Sequence, residues 1–169
     1  MANIWKALVL TTTLSFLSMP GMIVCEGQKS KVTKLPMILQ GRVYCDTCRA
    51  GFETDATTYM PGAKVRVECR NKETQEIHFT KEGMTDSTGT YKIVIKEDRL
   101  DNICDVKLIS SSQHDCASPD PARERSRVIL TAYNGIASNH RFANSLGFFK
   151  DVALKGCDEI LEKYLENDD

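Results

Sequence analysis

The hydrophobic pattern of this chain is dominated by a period of two residues. In 63–69 every second residue is apolar and the residues between are charged, as in a strand with one buried face. Further short strands are predicted at 37–45, 77–80, 91–96, 103–109, 128–131 and 146–149. Short strands separated by turns predict an all-β fold, an antiparallel sandwich or barrel of about seven strands.

Turn residues divide these strands. Pro61 and Gly62 precede the strand at 63–69, and Gly89 closes a turn that joins 77–80 to 91–96, which predicts a β-hairpin. Two longer segments, 114–127 and 133–145, show neither a strand period nor a helix period. We therefore expect both to be surface loops, where binding residues concentrate.

The period changes at the C-terminus. The apolar positions there are spaced as one stripe of an amphipathic helix; they are Cys157, Ile160, Leu161, Tyr164 and Leu165. The acidic residues that follow Cys157 suit the positive end of a helix dipole. We expect a short C-terminal helix, which a disulfide at Cys157 would hold against the sheets.

The N-terminus has the composition of a secretory signal. Lys6 precedes an apolar run at 7–19, which Pro20 and Gly21 end, and polar residues interrupt the run too often for a membrane span. Cleavage after Cys25 is expected, so that 1–25 is the signal peptide and 26–169 the mature chain. That chain has room for a single domain at about 37–166. We expect it in the extracellular space, apoplast or cell wall, with no membrane association.

The cysteine count agrees with export. Seven cysteines become six without Cys25, and an even number in an exported chain indicates a disulfide framework. Cys45 and Cys48 could instead form a redox site or half a zinc site. A redox site is disfavoured because a strand, not a helix, adjoins the pair. A zinc site is disfavoured because no second close pair of ligands is present. In an extended segment the two point to opposite faces, so we expect different partners; the other pairings remain open.

No catalytic set is recognisable. The chain has three histidines and a formal net charge of −1, and it lacks the common nucleophile, zinc-protease and phosphate-loop motifs. Asp46, Glu53 and Asp55 lie close in sequence and are interpreted as residues of a solvated loop. The near-neutral charge argues against nucleic-acid binding. We expect no enzyme activity, no cofactor and no metal.

The segment 40–49, QGRVYCDTCR, resembles the signature of the Ole e 1-like pollen allergen family, and 61–69, 85–91, 144–150 and Cys157 continue the likeness. The resemblance implies a secreted, non-enzymatic plant protein with an antiparallel β-barrel or sandwich. It also implies a bridging pattern: Cys45 with Cys116, Cys48 with Cys157, and Cys69 with Cys104. Family members often carry an N-linked glycan, but no Asn-x-Ser/Thr sequon occurs here.

The resemblance favours an extracellular binding or signalling module in pollen tube growth or in pollen hydration and recognition, with a receptor-kinase ectodomain as partner. Candidate recognition residues lie in the two expected loops: His114, Arg123, Arg125, Arg127, Tyr133, His140, Arg141 and Phe142. The alternative is a cell-wall component that binds polysaccharide or structural glycoprotein. Exposed aromatic residues would favour that alternative; Tyr133 and Phe142 are candidates, whereas Phe148 and Phe149 are expected inside.

Overall fold

A computed structural model describes residues 36–165. The predicted signal peptide at 1–25 lies outside the described residues. The strands are β1 (Met37–Asp46), β2 (Thr58–Tyr59), β3 (Lys64–Asn71), β4 (Ile77–Met84), β5 (Thr90–Ile95), β6 (Asn102–Ser110), β7 (Ser118–Pro119), β8 (Arg125–Val128), β9 (His140–Phe142) and β10 (Leu146–Phe149), followed by the helix α1 (Cys157–Leu165). The predicted all-β fold with a short C-terminal helix is confirmed.

The long strand β1 organises the first sheet. Its N-terminal half pairs with β5 and β9, and its C-terminal half pairs with β2 and β10. β7 extends this sheet beyond β10. β9 and β10 run parallel to β1, so the sheet is mixed, whereas the second sheet is antiparallel throughout in the order β4-β3-β6-β8.

The core lies between the two sheets. The alternation predicted for 63–69 is present, since Val65, Val67 and Cys69 of β3 are all fully buried. They pack with the buried face of β5, which includes Ile93 and Ile95, in one hydrophobic cluster. Burial of these branched side chains on both sheets supplies the main driving force for folding.

The predicted hairpin between 77–80 and 91–96 is wrong. A tight turn is present, because the Gly89 amide donates to the Asp86 carbonyl oxygen at 3.0 Å. However, β4 pairs with β3 and β5 pairs with β1, so the chain crosses from one sheet to the other. The two strands meet face to face: a Cβ added at Gly83 would lie 2.7 Å from Cγ1 of Ile93.

The two segments expected to be loops contain short strands. β7 lies within 114–127, and β8 begins in that segment and ends one residue beyond it. β9 lies within 133–145. The strand predicted at 128–131 is displaced, since β8 ends at Val128. These strands have two to four residues, too few to display a period, and they form because distant strands pair with them.

Among residues 36–165, three disulfides connect the elements. Cys69 and Cys104 join β3 to β6 at directly paired positions, with their Cα atoms 4.0 Å apart. Cys45 of β1 is bonded to Cys116, and Cys48 is bonded to Cys157 at the start of α1. These are the pairs that the family resemblance implies. Cys48 follows the end of β1 and lies in a turn, so the strand-face argument does not describe its geometry.

The helix α1 has nine residues, and its half-buried side chains include Ile160 and Tyr164. The ring of Tyr164 meets that of Phe52 edge to face at 5.3 Å between centroids. In the part of the chain that the structure describes, no helix has the length and apolar character to cross a membrane.

Candidate binding site

The C-terminal half of β1 is buried on both faces. Alternation leaves Ile38, Gln40 and Arg42 partly or fully exposed, but Tyr44 is only 1% exposed. Its ring lies over Gly147 of the neighbouring strand β10, where an added Cβ would lie 2.7 Å from Cζ of Tyr44. Position 147 therefore accommodates only glycine while this ring keeps its place.

Asp46 organises the turn that follows β1. Its carboxylate accepts the amides of Cys48 at 3.2 Å and Gly51 at 2.7 Å. The residue is fully buried, so its interpretation as part of a solvated loop is wrong, whereas Glu53 and Asp55 are exposed as expected. A buried carboxylate with two amide donors fixes the turn because its charge is compensated.

A second turn, at 120–123, is fastened to β10. The Asp120 amide donates to the Gly147 carbonyl oxygen at 3.0 Å, and the Gly147 amide donates to the Arg123 carbonyl oxygen at 3.1 Å. The Arg123 Nε then donates to the Gly51 carbonyl oxygen at 3.2 Å. The guanidinium is thereby held between the two turns.

These elements enclose a cavity of about 390 Å³, here called the polar pocket. Arg123 comes from the first segment expected to be a loop, and 143–145 belongs to the second. The two candidate recognition segments thus meet at one place. The lining residues are Tyr44, Glu53, Arg123, Ala143, Asn144 and Ser145.

The Tyr44 hydroxyl is buried and has no hydrogen-bond partner among the described residues. Burial raises the pKa of this phenol to about 12; the positive Arg123 opposes the rise, and Asp120, Asp46 and Glu53 add to it. The hydroxyl is therefore neutral in the physiological range, and it can both donate and accept a hydrogen bond.

An exposed apolar surface borders the pocket's second segment. It consists of Ile129, Tyr133, Ile136 and Phe142, which are 60%, 67%, 50% and 72% exposed; we call it the apolar surface. Two grooves of about 460 and 390 Å³ run along it, and Arg127, Val128 and Ile129 line both of them. Within the described chain, no aspartate or glutamate lines either groove.

The remaining candidate recognition residues are scattered over these features. His114 is exposed between β6 and β7. Arg125 lies 3.3 Å from Glu124, and Arg127 donates to Asp105 at 2.6 Å; both side chains are more than half exposed.

His140 and Phe142, both in β9, stack with their ring centroids 6.3 Å apart. The two exposed rings therefore form one surface beside the second groove, which they both line.

Arg141 is not available for recognition. It is only 5% exposed, and its guanidinium donates to the carbonyl oxygens of Thr131 at 2.8 Å, Ser138 at 2.5 Å and His140 at 2.9 Å. A buried guanidinium that satisfies backbone carbonyls holds its loop in shape. Its expected role at a binding surface is therefore corrected to a structural one.

Sequence reasoning missed Tyr44, Ile129 and Ile136. Tyr44 could not be recognised as a site residue because its ring packs against β10, about one hundred residues later in the sequence. Ile136 carried a usable signal, since a large aliphatic residue in a polar segment without a period has no predicted core to enter. Ile129 did not, because it falls in the strand predicted at 128–131. Among residues 36–165, no group of three or more His, Cys, Asp or Glu side chains could hold a metal ion.

The geometry defines a class of protein: a disulfide-stapled β-sandwich that carries a polar pocket and an exposed apolar surface. The family model described as "Pollen protein Ole e 1 like" matches residues 36–165. The chain belongs to this family.

Individual relatives agree. The chain is 48% identical to Pollen-specific protein C13 of Zea mays over 78% of this chain and 77% of that protein. It is 35% identical to Anther-specific protein LAT52 of Solanum lycopersicum over 94% of both. The crystal structure of the major plantain pollen allergen Pla l 1 superposes with a TM-score of 0.65 at 27% identity, covering 72% of this chain and 99% of that one. These names describe pollen, anthers or allergens, not a catalytic activity.

Proposed function

We propose that this protein is exported and acts in pollen as a non-enzymatic binding module whose partner is a receptor ectodomain. The apolar surface carries this proposal. Isolated exposed apolar residues are ordinary, but contiguous apolar patches mark interaction sites. Four large side chains within 129–142 are at least half exposed. The relatives whose names include pollen or anther support the tissue.

The charges around the apolar surface support a partner of one particular chemistry. Lys72, Arg99 and Arg127 line the two grooves, and Asp105 and Glu97 neutralise part of this charge by pairing with Arg127 and Arg99. An apolar centre with a cationic border is complementary to an apolar patch bordered by carboxylates. Such an arrangement speeds association and selects the partner. The partner is expected to present acidic side chains around an apolar contact.

The test is binding of the mature chain to a panel of receptor-kinase ectodomains from pollen, measured by biolayer interferometry. Exposed aromatic residues at an interface centre dominate binding energy, so Tyr133→Ala combined with Phe142→Ala should weaken binding by about tenfold or more. Val152→Ala is the matched control, since Val152 is 76% exposed and lies outside the surface. Absence of binding to every ectodomain, or equal binding by the double variant, contradicts the proposal.

The cell-wall alternative keeps one supporting observation. Tyr133 and Phe142 are exposed, as that alternative requires. Phe148 is buried as expected, and Phe149 is half-buried. Retention on purified wall material at high salt, abolished by the same double variant and without any receptor partner, would favour it.

A further inference from the structure

Two tyrosine hydroxyls, those of Tyr44 and Tyr91, are buried without a hydrogen-bond partner among the described residues. A buried polar group left unpaired costs about 1–3 kcal/mol, so each is unfavourable for the isolated protein. Tyr91 lies in the hydrophobic core, beside Gly41. Tyr44 instead lines the polar pocket. Tyr44 therefore adjoins a space in which a ligand could become the partner of its hydroxyl.

Other groups of the pocket also have unused hydrogen-bonding capacity. Arg123 uses its Nε for Gly51 and forms no ion pair with a described carboxylate, so its two Nη groups remain available as donors. Glu53 accepts the Tyr59 hydroxyl at 2.9 Å on one oxygen, which leaves the second oxygen as an acceptor. The pocket therefore offers donors and acceptors together.

The formal charges of the two ionised lining groups, Arg123 and Glu53, balance, which favours a neutral ligand. One guanidinium and one carboxylate line the pocket, and Asp46 and Asp120 are buried near Tyr44. An anion would meet three carboxylates, and a cation would compete with Arg123 for the one carboxylate of the lining, Glu53. An apolar ligand would deprive the polar lining of water without replacing its hydrogen bonds, which is costly. A neutral ligand that both donates and accepts hydrogen bonds fits this environment.

We propose that the polar pocket binds a neutral polyhydroxylated ligand, a sugar ring, with Tyr44, Arg123 and Glu53 as its hydrogen-bond partners. Each sugar hydroxyl donates and accepts, as these three groups require. A volume of about 390 Å³ lies at the lower end of the range of about 300–1,000 Å³ for small-molecule sites, which suits a single ring. The proposal is independent of the protein partner proposed above.

The test is a ¹H–¹⁵N NMR titration of the oxidised mature chain. The neutral probes are glucose, galactose and mannose. The charged counterparts of glucose are glucuronate and glucosamine, and those of galactose are galacturonate and galactosamine. We expect at least one neutral hexose to shift the resonances of Asn144, Ser145 and the Arg123 Nε–H, with a lower affinity for the charged probes. No shift with any neutral hexose at 100-fold and higher molar excess, or equal binding of a charged counterpart, overturns the proposal.

A paired substitution separates binding from folding. Tyr44→Phe removes one hydrogen bond to the ligand and should weaken binding by roughly two- to tenfold. Tyr91→Phe makes the same change in the core and should leave binding unchanged. Neither should lower the melting temperature, because each deletes an unpaired hydroxyl. Wild-type affinity in Tyr44→Phe contradicts the assignment.

A trisaccharide of the hexose that binds distinguishes the source of the sugar. Tighter binding than the single hexose indicates the end of a glycan chain, and equal binding indicates a free sugar; both outcomes support a sugar site. Failure of the trisaccharide and of every hexose to bind contradicts the proposed sugar site.

Discussion

Removal of the disulfide between Cys48 and Cys157 is expected to release α1 while the sandwich stays folded. The helix has nine residues, fewer than the about 12–15 that an isolated helix needs to be even marginally stable. Ordering nine residues costs roughly 10–20 kcal/mol of backbone entropy. Without the disulfide, tertiary contacts and the helix's own hydrogen bonds must offset this cost.

Those contacts are too few. The Tyr164 hydroxyl accepts the Asp55 amide at 3.1 Å, which contributes about 1 kcal/mol. Its ring contact with Phe52 at 5.3 Å adds about 0.5–1.5 kcal/mol. Ile160 and Leu161 are only partly buried and contribute about 1 kcal/mol each. The helix should therefore undock and melt in Cys48→Ala/Cys157→Ala.

The expected loss of global stability follows from the same reasoning. The bridge spans 109 residues, for which the chain-entropy model gives about 4.7 kcal/mol. Because the released tail gains entropy in the native state as well, the loss should be smaller, about 1–3 kcal/mol. Urea unfolding followed by circular dichroism measures the loss, and hydrogen exchange measures protection of α1.

The matched control is Cys69→Ala/Cys104→Ala, whose bridge spans 35 residues between strands of the core. It should cost about 4 kcal/mol or more and leave α1 protected. Wild-type protection of α1 in Cys48→Ala/Cys157→Ala, or a loss as large as the chain-entropy value, would refute the reasoning.

Two further substitutions address the scaffold. The buried Thr85 hydroxyl accepts the Ala63 amide at 2.9 Å and donates to the Met60 carbonyl oxygen at 2.6 Å, so Thr85→Val should cost about 2–3 kcal/mol of stability, measured by urea unfolding. Thr85→Ser should retain most of the stability. Unchanged stability of Thr85→Val would contradict this role. Lys107 donates to Glu68 at 2.6 Å and lowers the pKa of that carboxyl. The pair therefore stabilises the fold above the unfolded pKa of about 4.3 and loses its effect as pH falls through the lower folded pKa. Glu68→Gln should be less stable than the wild type by about 1 kcal/mol at pH 7, with the difference shrinking below about pH 4; a constant difference from pH 7 to pH 2 would contradict the assignment.

Elements whose signal is local could be predicted from the sequence. β3 alternates cleanly because one face packs on the core, and α1 shows a helical stripe that begins at Cys157. The hairpin error has a different origin. A turn at Gly89 determines that the chain reverses, but the pairing of β4 with β3 is decided by contacts between sheets, such as that of Gly83 with Ile93.

The site depended on contacts that a local pattern does not contain. β9 forms because His140–Phe142 pairs with residues about one hundred positions earlier in β1. The burial of Arg141 follows from that pairing. Tyr44 belongs to the face of β1 whose preceding residues are exposed, but its ring is buried against Gly147 of β10. Sequence therefore identified the two segments that meet at the pocket, but not the residue at their junction.

The distribution of disulfides points to recognition as well as stability. The bond from Cys45 to Cys116 anchors the segment that leads to Arg123. Cys48 holds the turn whose Gly51 carbonyl oxygen accepts that arginine. In the chain-entropy model any long bridge gives a similar gain, so stability alone does not explain why two of the three bridges in the described chain fasten segments that lead to the polar pocket. Segments ordered before binding lose little entropy when a ligand arrives, so these bridges would favour the ligand binding proposed for the polar pocket.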